Sequence, residues 1–181
     1  MAVVMRASVS AIPAMTWDPT SDAWFAGFAD GESCLMVRTR KDGGCEPHFQ
    51  LGLRADDAPI LECLADAFGG RIYFRKARPE VRLPNPACVW QVWRKSDLRG
   101  IVGYFDEFPL RAKKAREYVL WRRAVHIYCR GGHRAMELPA IADALVALRA
   151  FDAPEVELAE PTHHQLHLIE GGRALGLSEA K

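Results

Sequence analysis

The chain has little to staple it and no long apolar run. Its five cysteines, Cys34, Cys45, Cys63, Cys88 and Cys129, are scattered without close pairs. An odd, dispersed set does not make a disulfide framework and suits a reducing, cytoplasmic setting, with a eukaryotic organelle also open. No apolar run approaches the ~20 residues that a membrane span needs. The opening segment MAVVMRASVSAIPAM has only Arg6 as a basic flank and is broken by Pro13. It therefore reads as a loose extension over residues 1–16 and not as a secretory signal. His126, Cys129 and His133 lack the paired spacing of a zinc site. His163, His164 and His167 read as part of a solvated tail. No splicing motifs flank the chain, which argues against a self-splicing intein.

There is also almost no net charge, only +1 over 181 residues. That near-neutrality hides an uneven distribution. Eight basic residues and one acid lie between Arg111 and Met136. Eight basic residues and two acids lie between Arg71 and Arg99. From Glu137 to Lys181 the balance reverses, with eight acids against three basic residues. Two basic blocks and an acidic tail favour a polyanionic partner, although solvated faces give the same pattern. A chain of this length buries a core without staples, and its 49% apolar and 26% charged residues are ordinary for a globular domain.

Hydrophobic periodicity sets the elements. Pro19, Thr20 and Ser21 offer cap chemistry for a helix that ends near Gly31, with Asp22 in its first turn. The segment CLMVRTRKDGGCEPHFQLGLR alternates as two strands around a KDGG turn, which is a hairpin. A helix follows over ADDAPILECLADAFGG, capped by Asp56 or Asp57 and ended by Gly69 and Gly70. Two more strands surround a proline-rich loop. The first puts Arg71, Tyr73 and Arg75 on one face and Ile72 and Phe74 on the other. A short helix capped by Ser96, a longer one stopped by Gly131 and Gly132, and an amphipathic helix over ELPAIADALVALRAF complete the order. This is an α+β pattern: an antiparallel sheet with helices covering one face. The other face carries Arg38, Arg40, Gln50, Arg71, Tyr73 and Arg75. Arginine and glutamine make bidentate contacts with guanine and adenine edges, and a twisted β-ribbon enters a major groove.

One local feature runs against helix electrostatics. Asp30 and Glu32 sit at a helix C-terminus, where the backbone dipole makes carboxylates unwelcome. A rule broken locally marks a functional position, and a divalent cation would offset the repulsion. Ala26 and Gly27 just before them are small, so a second helix can come close.

The stretch FAGFADGES, from Phe25 to Ser33, resembles the signature of the LAGLIDADG homing endonucleases. Phe25, Ala26, Gly27, Phe28, Asp30, Gly31 and Glu32 match it position by position, with Phe25 in place of leucine. PHFQLGLRADDAPILECLADAFGG is similar to the family's second strand and following helix. SDLRGIVGYFDEFPLRAKKAREYVLW is similar to its later helix pair. The likeness spans about residues 17–130, which leaves 131–181 as a helical and acidic tail.

The resemblance implies an αββαββα core whose antiparallel, saddle-shaped sheet faces DNA. It implies two signature helices packed together, so this single-motif chain is expected to be a homodimer with Ala23, Ala26, Gly27 and Asp30 at the seam. Glu32 falls on the metal-binding acid, with backbone oxygen near Gly31 completing the shell for Mg2+ or Mn2+. Lys113 falls near the basic residue that stabilises the phosphate transition state, with Lys114 the alternative one position on. Arg38, Arg40 and Gln50 fall on base-reading positions. Arg71, Tyr73, Arg75 and Lys114 are further expected DNA contacts. The implied activity is metal-dependent cleavage of a long pseudo-palindromic duplex. The alternative is a non-cleaving binder: a DNA-binding regulator, or a maturase whose partner is intron RNA. Two departures favour that alternative. Ser33 replaces the glycine that follows the metal-binding acid, and Leu53 replaces a polar residue near the water network. GIVGYFDEF mimics a second signature but lacks its alanine-glycine pair, and reads as a plain amphipathic helix.

Overall fold

A computed structural model describes residues 18–77 and 85–150. The extension over 1–16, most of the proline-rich loop, and the histidines and acids of the tail beyond 150 lie outside the described residues. The elements run α1 (Trp24–Glu32), β1 (Ser33–Thr39), β2 (Cys45–Arg54), α2 (Ala58–Phe68), β3 (Arg71–Arg75), β4 (Ala87–Val92), α3 (Lys95–Glu107), α4 (Lys114–Cys129) and α5 (Glu137–Ala147). The four strands form one antiparallel sheet in the order β1-β2-β4-β3. The α+β reading and its helix-hairpin-helix-hairpin order are borne out.

Several caps differ from expectation. Asp22 precedes α1, and its carboxylate accepts the Trp24 amide at 2.8 Å. Asp57 occupies the N-cap position of α2 but makes no side-chain capping bond; residues Ala55–Asp57 form a 3-10 turn, and Asp56 pairs with Arg54. Ser96 lies inside α3 and bonds Asp97, while Asp97 accepts the Gly70 amide at 3.1 Å. That last contact explains the Gly69-Gly70 pair better than a helix stop alone. Both have positive φ, and a Cβ on Gly70 would lie 2.6 Å from the Gln91 carbonyl. Only glycine lets α2 turn this tightly into β3.

Strand alternation sends Leu35, Phe49, Leu51, Cys88, Trp90 and Val92 into the core. The helices cover that face alone. Phe25 of α1 is fully buried and meets the rings of Phe49, Phe68, Trp90, Tyr104 and Phe105 at 5.1–6.0 Å. Phe74, on the same side of β3, stays 64% exposed, so the edge strand is only partly covered. The segment resembling a second signature is α3, and its Ile101, Val102, Tyr104 and Phe105 are buried core residues. The Tyr104 hydroxyl donates to the Asp22 carbonyl at 2.6 Å, tying α3 to the start of α1. Among the described residues no helix is long and apolar enough to cross a membrane.

The core continues past residue 130, because Leu138, Ile141 and Leu145 of α5 are buried. Just after α5, Arg149 reaches back to the β1 backbone at Leu35 and, at 3.2 Å, to Glu117. Glu117 is itself buried on α4 and takes the buried Lys114 ammonium at 3.1 Å. A buried acid between two cations is stable only while all three remain. Glu117→Ala should therefore lower folding stability by about 3 kcal/mol. Urea denaturation would read this as an earlier midpoint with an unchanged slope.

Candidate functional site

The last turn of α1 presents the candidate chemistry. Phe25, Ala26 and Ala29 face the core, while Ala23, Trp24, Gly27, Gly31 and Glu32 are exposed. Ala26 is thus not a seam residue: it is buried inside its own chain, its amide 3.3 Å from the Tyr104 hydroxyl. The open stripe is instead Ala23, Gly27 and Gly31, flanked by Trp24 and Phe28, whose rings stack at 4.8 Å. A Cβ on Gly27 or Gly31 would meet nothing within 4 Å.

The two acids divide their roles. Asp30 accepts the Arg111 amide at 2.7 Å and the Ala112 amide at 3.2 Å through one carboxylate oxygen. Its other oxygen is buried without a hydrogen-bond partner. Backbone donors thus offset the Asp30 charge at the helix end, and they pin the segment leading into α4. Lys113 stands exposed on that segment, immediately before α4. Glu32 has no such compensation: it is exposed, and its carboxylate meets no donor or cation among the described residues. The electrostatic anomaly therefore concentrates on Glu32.

Ser33 causes no conflict at this point. Its backbone is extended, with φ −83° and ψ 161°, so no glycine conformation is required. Its hydroxyl donates to the Ala29 carbonyl at 2.6 Å and closes the helix end. Leu53 lies on the core side of β2 and packs against the hydrophobic cluster.

The uncovered sheet face is built from registered rows. Directly opposed residues share a face. One row therefore runs Cys34, Gln50, Gln91, Arg71 across all four strands. Arg38 lies beside it on β1 and donates to Gln50 at 3.2 Å. Tyr73 and Arg75 follow Arg71 along β3 on the same side, and both are exposed. Arg71 sits over the Trp93 ring at 5.9 Å, and Trp93 stacks near His48. His48 and Val89 are buried on this face, and His48 holds Glu46 at 2.8 Å. Burial pushes the His48 pKa below the ordinary histidine value, against the opposing pull of Glu46.

Two expected contacts are otherwise engaged. Arg40 pairs with Asp42 at 3.2 Å and with Glu46 at 3.6 Å, at the hairpin turn. Lys114 is buried on α4, with its ammonium against Glu117. Gln91 and Trp93 were missed in the sequence. The alternation in VWQVW, with Trp90 and Val92 inward, was the available signal for both.

Comparison with known proteins agrees with this arrangement. Residues 25–125 match the family described as LAGLIDADG endonuclease. A solved homing endonuclease, I-TnaI, is 28% identical, with TM-score 0.55 over 66% of this chain and 83% of its own. I-SmaMI bound to an uncleaved DNA target with calcium shares the fold at 24% identity and TM-score 0.55, over 70% of this chain and 44% of its own. A probable intron-encoded endonuclease, Cox1-I1b of Schizosaccharomyces pombe, is 26% identical over 106 residues, which is 56% of this chain. An uncharacterized 50.9 kDa protein in ND4 intron 1 of Podospora anserina is 29% identical over 115 residues, 59% of this chain. The chain spans only 26% and 24%, respectively, of the length of these last two relatives.

Proposed function

The chain belongs to the LAGLIDADG endonuclease family, and on that premise we propose that it is a site-specific DNA endonuclease. It acts as a homodimer that makes a double-strand break in a long pseudo-palindromic duplex. The observation that carries this reading is the exposed, uncompensated Glu32 carboxylate at the end of an open small-residue stripe. It stands beside a sheet face furnished with amide and guanidinium groups.

The Glu32 carboxylate and the Gly31 carbonyl are hard oxygen donors of the kind that Mg2+ or Mn2+ takes. Among the described residues of one chain, no group of three or more His, Cys, Asp or Glu assembles. One protomer thus offers part of a ligand set, and a second copy of α1 would supply the matching part. The metal, when bound, neutralises phosphoryl charge and activates water. The protein's own groups do the remaining work. Lys113, exposed on the segment that Asp30 pins, supplies positive charge toward the scissile phosphate, an electrostatic contact of the kind worth up to ~3 kcal/mol. Asp30 holds the Lys113 segment against α1 through the Arg111 and Ala112 amides. Arg38, Gln50 and Arg71 meet the duplex from the sheet, and Tyr73 and Arg75 extend that contact along the edge strand. Counterion release at the basic groups makes such binding salt-dependent.

The dimer follows from the same stripe. An isologous contact needs a self-complementary patch, and small residues spaced four apart let two helices approach closely. Both Glu32 residues would then lie near one two-fold axis, one for each DNA strand.

Glu32→Gln tests the chemistry, because a neutral amide is a poor ligand for a hard cation. The variant should retain duplexes from a randomised pool as well as wild type does, yet give no Mg2+-dependent cleavage. Persistent cutting by this variant would remove Glu32 from the mechanism, and binding without cutting by the wild type would make the chain a non-cleaving binder. Gly27→Leu tests the seam. Since a Cβ there meets nothing within the chain, the substituted protomer should melt like wild type but sediment as an inactive monomer. A variant that still sediments as a dimer would place the interface elsewhere.

A further inference from the structure

Three side chains on the sheet face form a hydrogen-bond chain with a forced polarity. Gln50 Oε1 accepts from Arg38 Nη2 at 3.2 Å and from Gln91 Nε2 at 2.9 Å. A guanidinium has donors and no acceptor, so the Gln50 atom that faces it must be the carbonyl oxygen. Glutamine oxygen and nitrogen are otherwise assigned only from such networks. Arg38 therefore fixes which way Gln50 points. Gln50 then fixes Gln91, which must turn its own NH2 toward the shared oxygen.

The consequence is chemical. Both lone pairs of Gln50 Oε1 are used, while its NH2 group has no partner among the described residues. Gln50 thus offers donors only. A free glutamine reads adenine by pairing its oxygen with N6–H and its NH2 with N7. Gln50 in this setting cannot, because its oxygen is spent. Guanine presents two acceptors, O6 and N7, in the major groove, whereas adenine and cytosine place an amino group there.

We propose that Arg38 acts as a positioning residue that locks Gln50 as a donor-only reader, selecting guanine over adenine at the base pair Gln50 meets. This inference rests on the reading of the sheet face as the duplex-binding surface. Without Arg38 the Gln50–Gln91 pair can reverse as a unit, with Gln91 Oε1 accepting from Gln50. Gln50 then presents an oxygen and one N–H, the pattern complementary to adenine. Removing Gln91 has no such effect, since Arg38 still holds the oxygen.

The test is selection of bound duplexes from a randomised pool by the full chain, without Mg2+ so that nothing is cut. Wild type, Gln50→Ala, Arg38→Met and Gln91→Ala are compared by sequencing. The base pair whose bias disappears in Gln50→Ala is the one Gln50 reads. Wild type should favour guanine over adenine there by roughly tenfold. Arg38→Met should bring adenine up to parity, and Gln91→Ala should keep the guanine bias. Adenine preferred by wild type at that position, or an unchanged guanine bias in Arg38→Met, would overturn the lock while leaving duplex binding intact. No position altered in Gln50→Ala would overturn it as well. Retention of no duplex by wild type would bring down the nucleic-acid reading itself, and the lock with it.

Discussion

The placement of α1 depends on the burial of Phe25. One fully buried ring contacts aromatic residues from β2, α2, β4 and α3, and so fixes a nine-residue helix against both the sheet and its neighbouring helix. A helix this short is marginal by its own hydrogen bonds and draws its stability from packing. Fully burying an aromatic side chain of this size stabilises by about 1.5–3 kcal/mol, before edge and stacking geometry adds to it. With Phe25, Ala26 and Ala29 turned inward, helical periodicity turns Ala23, Gly27 and Gly31 outward. Glu32 is then delivered to the surface where α1 passes directly into β1. Core packing and the candidate chemistry are in this sense one constraint.

Sheet alternation supplies the second half of the arrangement. The residues that bury Leu35, Phe49, Trp90 and Val92 on one side oblige Arg38, Gln50, Gln91 and Trp93 to the other. Cross-strand registry gathers side chains that are distant in sequence into single rows. The chain thus separates duties by layer: helices and one sheet face hold the fold, and the opposite face is left polar. The buried Lys114–Glu117–Arg149 group belongs to the first layer and not to the second.

Much of this was legible in the sequence. The hairpin, the two glycine-marked helix ends and the outward face of β3 follow from periodicity and turn residues. The exceptional acids of α1 follow from helix electrostatics. What was hidden depended on contacts between distant segments. Nothing near Lys114 in sequence shows that α4 turns it inward to a buried glutamate. Ala26 looks like a seam residue because it is small and precedes Gly27, yet the helical period places it on the core side with Phe25. Asp30 resembles Glu32 locally; the family resemblance already implies a structural role for it, but its partners, the Arg111 and Ala112 amides, lie in a distant segment. The donor polarity of Gln50 arises from Arg38, twelve residues away, and from Gln91, forty-one away.

The central claim is that the uncovered sheet face, with the end of α1 beside it, is where duplex DNA docks. Photocrosslinking of the full chain to bromodeoxyuridine-substituted duplexes, with the linked peptides identified by mass spectrometry, tests this most directly. Crosslinks should fall in β1, β2, β3 and β4, on peptides carrying Arg38, Gln50, Arg71 or Trp93, and should fade with added salt. Crosslinks confined to the outer surfaces of α3 and α4, around Arg99 and Arg130, would contradict it.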